Sequence, residues 1–585
     1  MRRARAWALW AGLVFSPPTL AAEGVDGEAR PLLQKVEQSL EDWNLPGARQ
    51  ALAALEASLS EDSEPLRYVR GRVAFEEGRY GEAVDLLTSA GVEDRNGSYL
   101  RLAKETAKVT RDHRTAESEH FIFQYPPGKD EVLVPYALEA LEATRTALLQ
   151  DLGYAPEGKV RVEVVNNARE LSKVSTLTLP QIQTTGTIAI CKFNKLMVTS
   201  PKAVLKGYDW MDTLAHEYVH LVVSQKSRNT VPIWLHEGMA KYLETRWRGE
   251  AGRSMSPSTL ALLGHRVQKN KLIPFEKMHP SIALLPSAED AATAFAEVFF
   301  AVDYVTREKG TAGLRAVIDG LAAGKSDRKA VEAAMEMSFP QFEKAWLGHV
   351  RKQPFPRELI PRSDEKIVLK ESAAGKAAPD ERKGREISFG DFVEVTETEA
   401  RKFAHLGELM RERRRTAAAA EEYGKAHRRV GDKYESISNK YALALLELKR
   451  VDAAEKVLLG SLRMHPGSAA TQVHLGRIYL ARNDHPRAKR AFLDALASDP
   501  FDEEIHLSLA HVHDALGEKA LAERAARATG VLTGLKPEQV TALARTLGER
   551  GKDLSEGPAG VDPQPFMTVP DLKPRPQPQT DAGTL

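Results

Sequence analysis

A pattern of small and bulky apolar residues recurs every 34 residues in the C-terminal half of the chain, and it constrains the fold more than any other feature. Leu475, Gly476, Tyr479, Ala488, Phe492, Ala495 and Pro500 make one copy. The same spacing upstream gives Ala442, Ala454 and Pro466, and downstream Leu509, Ala510 and Ala522. A further copy fits Leu406, Gly407, Ala419, Tyr423 and Ala426. A unit of this length cannot bury its apolar face alone, so residues 398–535 are expected to stack as paired helices. Small residues let the two helices of a pair approach, and larger ones fill the groove between pairs. Near the N-terminus, Gly71, Ala74, Gly78, Tyr80, Ala83 and Ala90 match the template once, inside a stretch (29–112) whose apolar spacing is helical throughout.

Between these regions the period changes. His120–Tyr125, Lys159–Val165, Thr187–Cys191 and Leu196–Thr199 read as short strands, with a helix near 132–151, and helices return from 208 to 351. The expected architecture is an α+β domain over 115–351, flanked by all-α repeats. A proline- and charge-rich stretch at 352–396 reads as a linker. Residues 551–585, with seven prolines and little apolar periodicity, read as a disordered tail.

Composition narrows the function. Apolar residues make up 42% and charged residues 28%, and 82 basic against 81 acidic residues leave a net charge of +1. That balance argues against a dedicated nucleic-acid binder, which needs a basic surplus. A lone cysteine, Cys191, excludes an intrachain disulfide, a cysteine-rich metal knuckle and a CxxC redox site. The first 21 residues read as a secretory signal peptide: Arg2, Arg3 and Arg5, an apolar run from Ala6 to Phe15, then Pro17, Pro18 and the small residues before the cleavage point. The mature chain is therefore expected outside the cytoplasm, periplasmic or secreted, with no later membrane-spanning stretch.

The chemistry concentrates in residues 211–225. His216 and His220 are four apart on a strongly helical run and project from one face, where both imidazoles can reach one metal ion. Glu217 stands beside the first of them, in the HExxH arrangement of zinc peptidases. A catalytic zinc takes three protein ligands and keeps one position open. The spacing that would supply a third histidine fails, because positions 223 and 226 hold Val223 and Lys226, and no aspartate occurs between Asp212 and Asp290. Pro232 instead opens a second helix carrying Glu237, seventeen residues after His220 and far enough along for the chain to return antiparallel. Glu237 is the expected third ligand.

HEYVH followed by WLHEGMAKYLE resembles the gluzincin signature, and with the strands before it and the helices after it the segment 115–350 is similar to the peptidase MA-like domain. The flanking repeats resemble tetratricopeptide repeats, which stack into a solenoid and bind peptides or proteins. The resemblance implies one zinc per chain on His216, His220 and Glu237, with Glu217 as general base in peptide-bond hydrolysis and a protein or peptide as substrate. It also implies a protein partner for the repeats, unless the repeats serve only to prop up the peptidase domain.

Residues around the ligands follow from spacing. Asp212, one turn before His216, and Glu244, two turns after Glu237, either orient a ligand histidine or are ordinary surface charges. The strand 187–191 either aligns substrate by main-chain pairing or is a plain sheet edge. In gluzincins a Tyr or His donor stabilises the oxyanion, an interaction worth about 3 kcal/mol. The position where a tyrosine is expected holds Phe295, leaving His236, His265 and Tyr304 as candidate donors. That gap keeps a second reading open, a non-catalytic repeat adaptor carrying a degenerate zinc domain.

Overall fold

The computed structural model describes residues 29–59, 62–94, 98–205, 207–249, 251–252, 255–356 and 392–552. The expected signal peptide, most of the linker and nearly all of the tail lie outside the described residues. Two compact units emerge, divided within the linker.

The first unit opens with five helices: α1 (Ala29–Glu41), α2 (Leu45–Ser58), α3 (Glu64–Glu76), α4 (Tyr80–Ser89) and α5 (Tyr99–Thr110). Asn44, Ser63 and Ser98 cap α2, α3 and α5 by accepting from first-turn amides. A five-stranded sheet follows, of β1 (Arg114–Glu117), β2 (Phe121–Tyr125), β3 (Val160–Val165), β4 (Ala189–Lys192) and β5 (Lys195–Thr199), in the order β1-β2-β3-β5-β4. β2, β3 and β5 run parallel, and β1 and β4 pair antiparallel at the two edges. Helices α6 (Val134–Leu152), α7 (Ala168–Val174) and α8 (Leu179–Thr185) lie between strands. Then come α9 (Trp210–Ser227), α10 (Ile233–Leu243), α11 (Pro257–Gln268), α12 (Ala288–Ala322, bent where Gly310 leaves helical geometry), α13 (Asp327–Met335) and α14 (Phe339–Arg351).

Register assigns the two sheet faces. Phe121, Phe123, Val162, Leu196, Val198 and Cys191 share one face, which packs on α6 and α9, with the Phe121 and Tyr218 rings 5.2 Å apart. The opposite face carries Arg161, Glu163, Lys195 and Met197, and the N-terminal helices cover it. Lys195 Nζ donates to Glu163 Oε2 at 2.9 Å and to the Tyr80 hydroxyl at 2.7 Å, with both charged side chains fully buried. Tyr80 in turn donates to Glu163, and Arg161 donates to the Glu77 carbonyl at 3.0 Å. The turn between β4 and β5 places Phe193 and Asn194 at positive φ (56° and 54°). The Phe193 ring lodges against Phe75 and Tyr99 at 5.3 and 6.0 Å, and Asn194 bridges Glu76 on α3 and Gln225 on α9. In the first unit the N-terminal helices thus form one layer of the α+β body, the propping role weighed above.

The second unit pairs helices Thr398–Glu412 with Thr416–Val430, Glu435–Glu447 with Val451–Met464, Ala469–Ala481 with His485–Ser498, and Glu503–Ala515 with Lys519–Thr533. Where the repeat signature carries glycine it has one steric reason. A Cβ on Gly476 would meet the Phe492 ring at 2.6 Å, one on Gly407 the Tyr423 ring at 2.7 Å, and one on Gly71 the Leu87 side chain at 2.8 Å. In these three pairs glycine on the first helix admits the bulky residue of the second, while the other two pairs of the second unit carry Ala442 and Ala510 at that position.

Several boundaries differ from the sequence reading. β1 and the helices α7 and α8 were not expected, because each is short and carries little periodicity. A last helix, Pro537–Lys552, extends the array beyond 535 and into the first residues assigned to the tail, burying Val540 and Ala544. The ends of the linker are packed rather than free. Phe355 presses on Gly264, and Phe392 and Val395 join the core of the first repeat.

Candidate metal centre

α9 and α10 are joined by a tight reversal. Arg228 and Asn229 adopt left-handed conformations at the end of α9, with the Asn229 amide donating to the Ser224 carbonyl at 2.7 Å. Pro232 then starts α10 as its N-cap residue. The reversal lays α10 beside α9 and brings Glu237 to the face that carries His216 and His220.

Metal-ligating atoms of His216, His220 and Glu237 all lie within 4.8 Å of one another. Glu237 Oε2 is 3.5 Å from His216 Nε2 and 3.6 Å from His220 Nε2. A tetrahedral ion with bonds of about 2.0–2.1 Å sets its ligand atoms about 3.4 Å apart, and the two Glu237–histidine separations match that spacing. The two imidazoles stand perpendicular, 89° apart with centroids separated by 4.7 Å.

Each histidine is held from behind. His216 Nδ1 contacts Glu244 Oε2 at 2.9 Å, and Lys241 Nζ donates to Glu244 Oε1 at 2.6 Å. Burial disfavours the His216 cation, but hydrogen bonds to Glu237 and Glu244 outweigh it and push the imidazole up to about 10. His220 Nδ1 lies 2.5 Å from His236 Nδ1, and His236 Nε2 lies 3.0 Å from Ser224 Oγ. Burial, reinforced by neighbouring histidines, pushes His220 well below the usual imidazole range and His236 down to about 3, which disfavours the cation on both rings.

Glu217 is buried beside the trio. Burial lifts its carboxyl to about 7, with His216 pulling against that, Glu237 adding to it, and the Cys191 amide on edge strand β4 donating a hydrogen bond. Its Oε2 has no hydrogen-bond partner among the described residues. A buried carboxylate oxygen left open in this way is costly unless a water or ion completes it.

The other sequence candidates fall elsewhere. Asp212 does not orient His216. Its Oδ1 accepts from Trp247 Nε1 at 2.7 Å and from Arg248 at 2.9 Å, because Glu244 already occupies the histidine's outer nitrogen. His236 is not an oxyanion donor, since both ring nitrogens are engaged behind His220. Tyr304 packs in the core against Phe342 and His349, with centroids 5.9 and 5.6 Å away. His265 is exposed on α11. The sequence reading missed three contributions to this centre, of which Lys241 was legible as the residue three before Glu244 at the end of α10. Ser224 was legible as the residue one turn after His220, whereas the Cys191 amide carries no side-chain signal.

Residues 140–352 match the family model of the Peptidase MA superfamily. Tetratricopeptide repeat models match residues 39–96 and 406–469, and another matches 445–512. No curated protein matches the sequence. Among solved structures, native yeast LTA4 hydrolase is 13% identical, with 76% of this chain and 65% of that one covered, at a TM-score of 0.28. The chain thus spans about two thirds of that protein's length. A chain in the crystal structure of the APC/C hetero-tetramer Cut9-Hcn1 is 11% identical, with 90% of this chain and 97% of that one covered, at a TM-score of 0.23.

Proposed function

We propose that this Peptidase MA superfamily domain, joined to tetratricopeptide repeats, is a zinc-dependent peptidase of gluzincin type. The observation that carries the proposal is Glu217: a buried carboxylate with an open oxygen beside three converging ligands, which a purely structural metal site does not need. Zinc held by His216, His220 and Glu237 would supply Lewis acidity toward a water molecule and a peptide carbonyl. Glu217 Oε2 would take the proton of the attacking water and return it to the leaving amine. Glu244 and Lys241 steady His216, and the Cys191 amide steadies Glu217. The β4 edge is a surface on which an extended substrate backbone can pair.

The repeats of the second unit belong to a class that binds proteins, and we assign them a partner or the substrate itself. The chain is further proposed to be exported through residues 1–21, which N-terminal sequencing of the mature protein would test. Among the described residues no helix is long and apolar enough to cross a membrane.

A second reading, a non-catalytic adaptor, draws support from Tyr304, which packs in the core, and from His236, whose ring nitrogens are engaged behind His220. Peptide-library cleavage by wild type and Glu217→Gln separates the two. Cleavage that vanishes in the variant supports the peptidase, and zinc without cleavage in either supports the adaptor.

A further inference from the structure

The two histidines of the candidate centre are backed differently. Behind His216 stands a carboxylate, Glu244, with its own lysine. Behind His220 stands a third imidazole. The His220 and His236 centroids are 4.5 Å apart with planes 22° apart, so a 2.5 Å contact between their Nδ1 atoms sets the rings edge to edge rather than face to face. That is the geometry of an in-plane hydrogen bond, and it carries one proton.

Ser224 Oγ lies 3.0 Å from the far nitrogen of His236 and can accept from it or donate to it, which couples the serine to where that proton sits. When the serine accepts from His236 Nε2–H, the neutral His236 ring presents a lone pair at Nδ1. His220 must then donate from Nδ1, which leaves its Nε2 bare on the side facing Glu237. The opposite arrangement would put a hydrogen on His220 Nε2 and close it to a metal. His236 and Ser224 are nearly fully buried, so water does not compete for these bonds.

We propose that His236 is a positioning residue that holds His220 in its metal-binding tautomer, through a relay from His220 Nδ1 to His236 to Ser224. The inference rests on the zinc reading above. The relay is local to one loop: His220 and Ser224 are a turn apart on α9, and His236 directly precedes the ligand Glu237 on α10. One helix reversal therefore delivers a ligand and the orienting group of its neighbour together.

The test is zinc affinity of the full chain, measured by chelator competition, for wild type, His236→Leu, His236→Asn, Ser224→Ala and Glu237→Ala. Leucine leaves His220 Nδ1 without its acceptor and should weaken zinc by about 10–100-fold. Asparagine sets an amide oxygen near the position of Nδ1 and should stay within about threefold of wild type. Ser224→Ala keeps the ring but frees its tautomer, and should fall between them. Leucine at wild-type affinity would overturn the inference. If the leucine protein does not fold, asparagine losing zinc while Ser224→Ala binds as wild type would overturn it instead. Glu237→Ala separates the two claims. Zinc absent from wild type removes the metal reading itself, whereas zinc lost in Glu237→Ala and retained in His236→Leu removes only the relay.

Discussion

Gly238, between Glu237 and Met239 on α10, is where a single methyl group should be felt most sharply. A Cβ there would meet the Val298 carbonyl oxygen of α12 at 2.6 Å and Val302 Cγ2 at 2.9 Å. The first obstacle is backbone and cannot rotate away, so α10 must retreat from α12 by about 0.6–0.9 Å to restore ordinary contact. Overpacking of this kind costs about 1–3 kcal/mol, while alanine in a helix returns about 1 kcal/mol over glycine. Gly238→Ala should therefore be destabilised by about 0–2 kcal/mol, a fall of a few degrees in melting temperature. The larger effect falls on the metal. Glu237 and His236 flank the displaced residue, and a site of this kind tolerates only about 0.5 Å of error. Zinc affinity should drop at least about tenfold. Thermal melting and chelator competition on the same preparation check both parts. A variant that is more stable by about 1 kcal/mol and binds zinc as wild type would refute the reasoning, since helix propensity alone would then decide the outcome.

Other perturbations probe separate layers. Lys195→Met strands the buried Glu163 carboxylate and should cost about 3–5 kcal/mol in urea denaturation, partly recovered when Glu163→Gln is added; a loss below about 1 kcal/mol would contradict the pairing. Burial lifts the Glu297 carboxyl from the usual 4.5 to about 8, although the Ile273 amide donates to it. Its folded-state value is the higher one, so its contribution is complete below pH 4.5 and fades as the pH rises through 8. Glu297→Gln should thus gain on wild type over that window, by about 2–4 kcal/mol at pH 8, and an equal difference at pH 5 and pH 8 would contradict this. Glu244→Gln removes the charge behind His216 and should weaken zinc by about 10–100-fold in chelator competition.

The repeats and the His216, Glu217, His220 and Glu237 set were legible because each rests on a fixed spacing that helical geometry turns into one face. The same logic found Glu244, which shares a face with Glu237. It misdirected Asp212, whose spacing from His216 is equally good. Sequence distance cannot show that Glu244 reaches the outer nitrogen first or that Trp247 and Arg248 draw Asp212 aside. From its residue type His236 is equally a candidate donor and a structural histidine. Only the return of α10 onto α9 shows it facing the back of His220. The N-terminal helices illustrate another limit: their periodicity gives pairs, but their closure over the sheet depends on Glu163 and Lys195, charged residues that a strand pattern assigns to solvent. β1, a four-residue edge strand with no residue fully buried, leaves no apolar alternation to read.

Zinc content of the purified chain, measured together with peptide-library cleavage by wild type and Glu217→Gln, tests the central claim most directly. The account predicts one zinc per chain in both proteins and cleavage only in wild type. A chain that purifies without zinc and takes up none would contradict it.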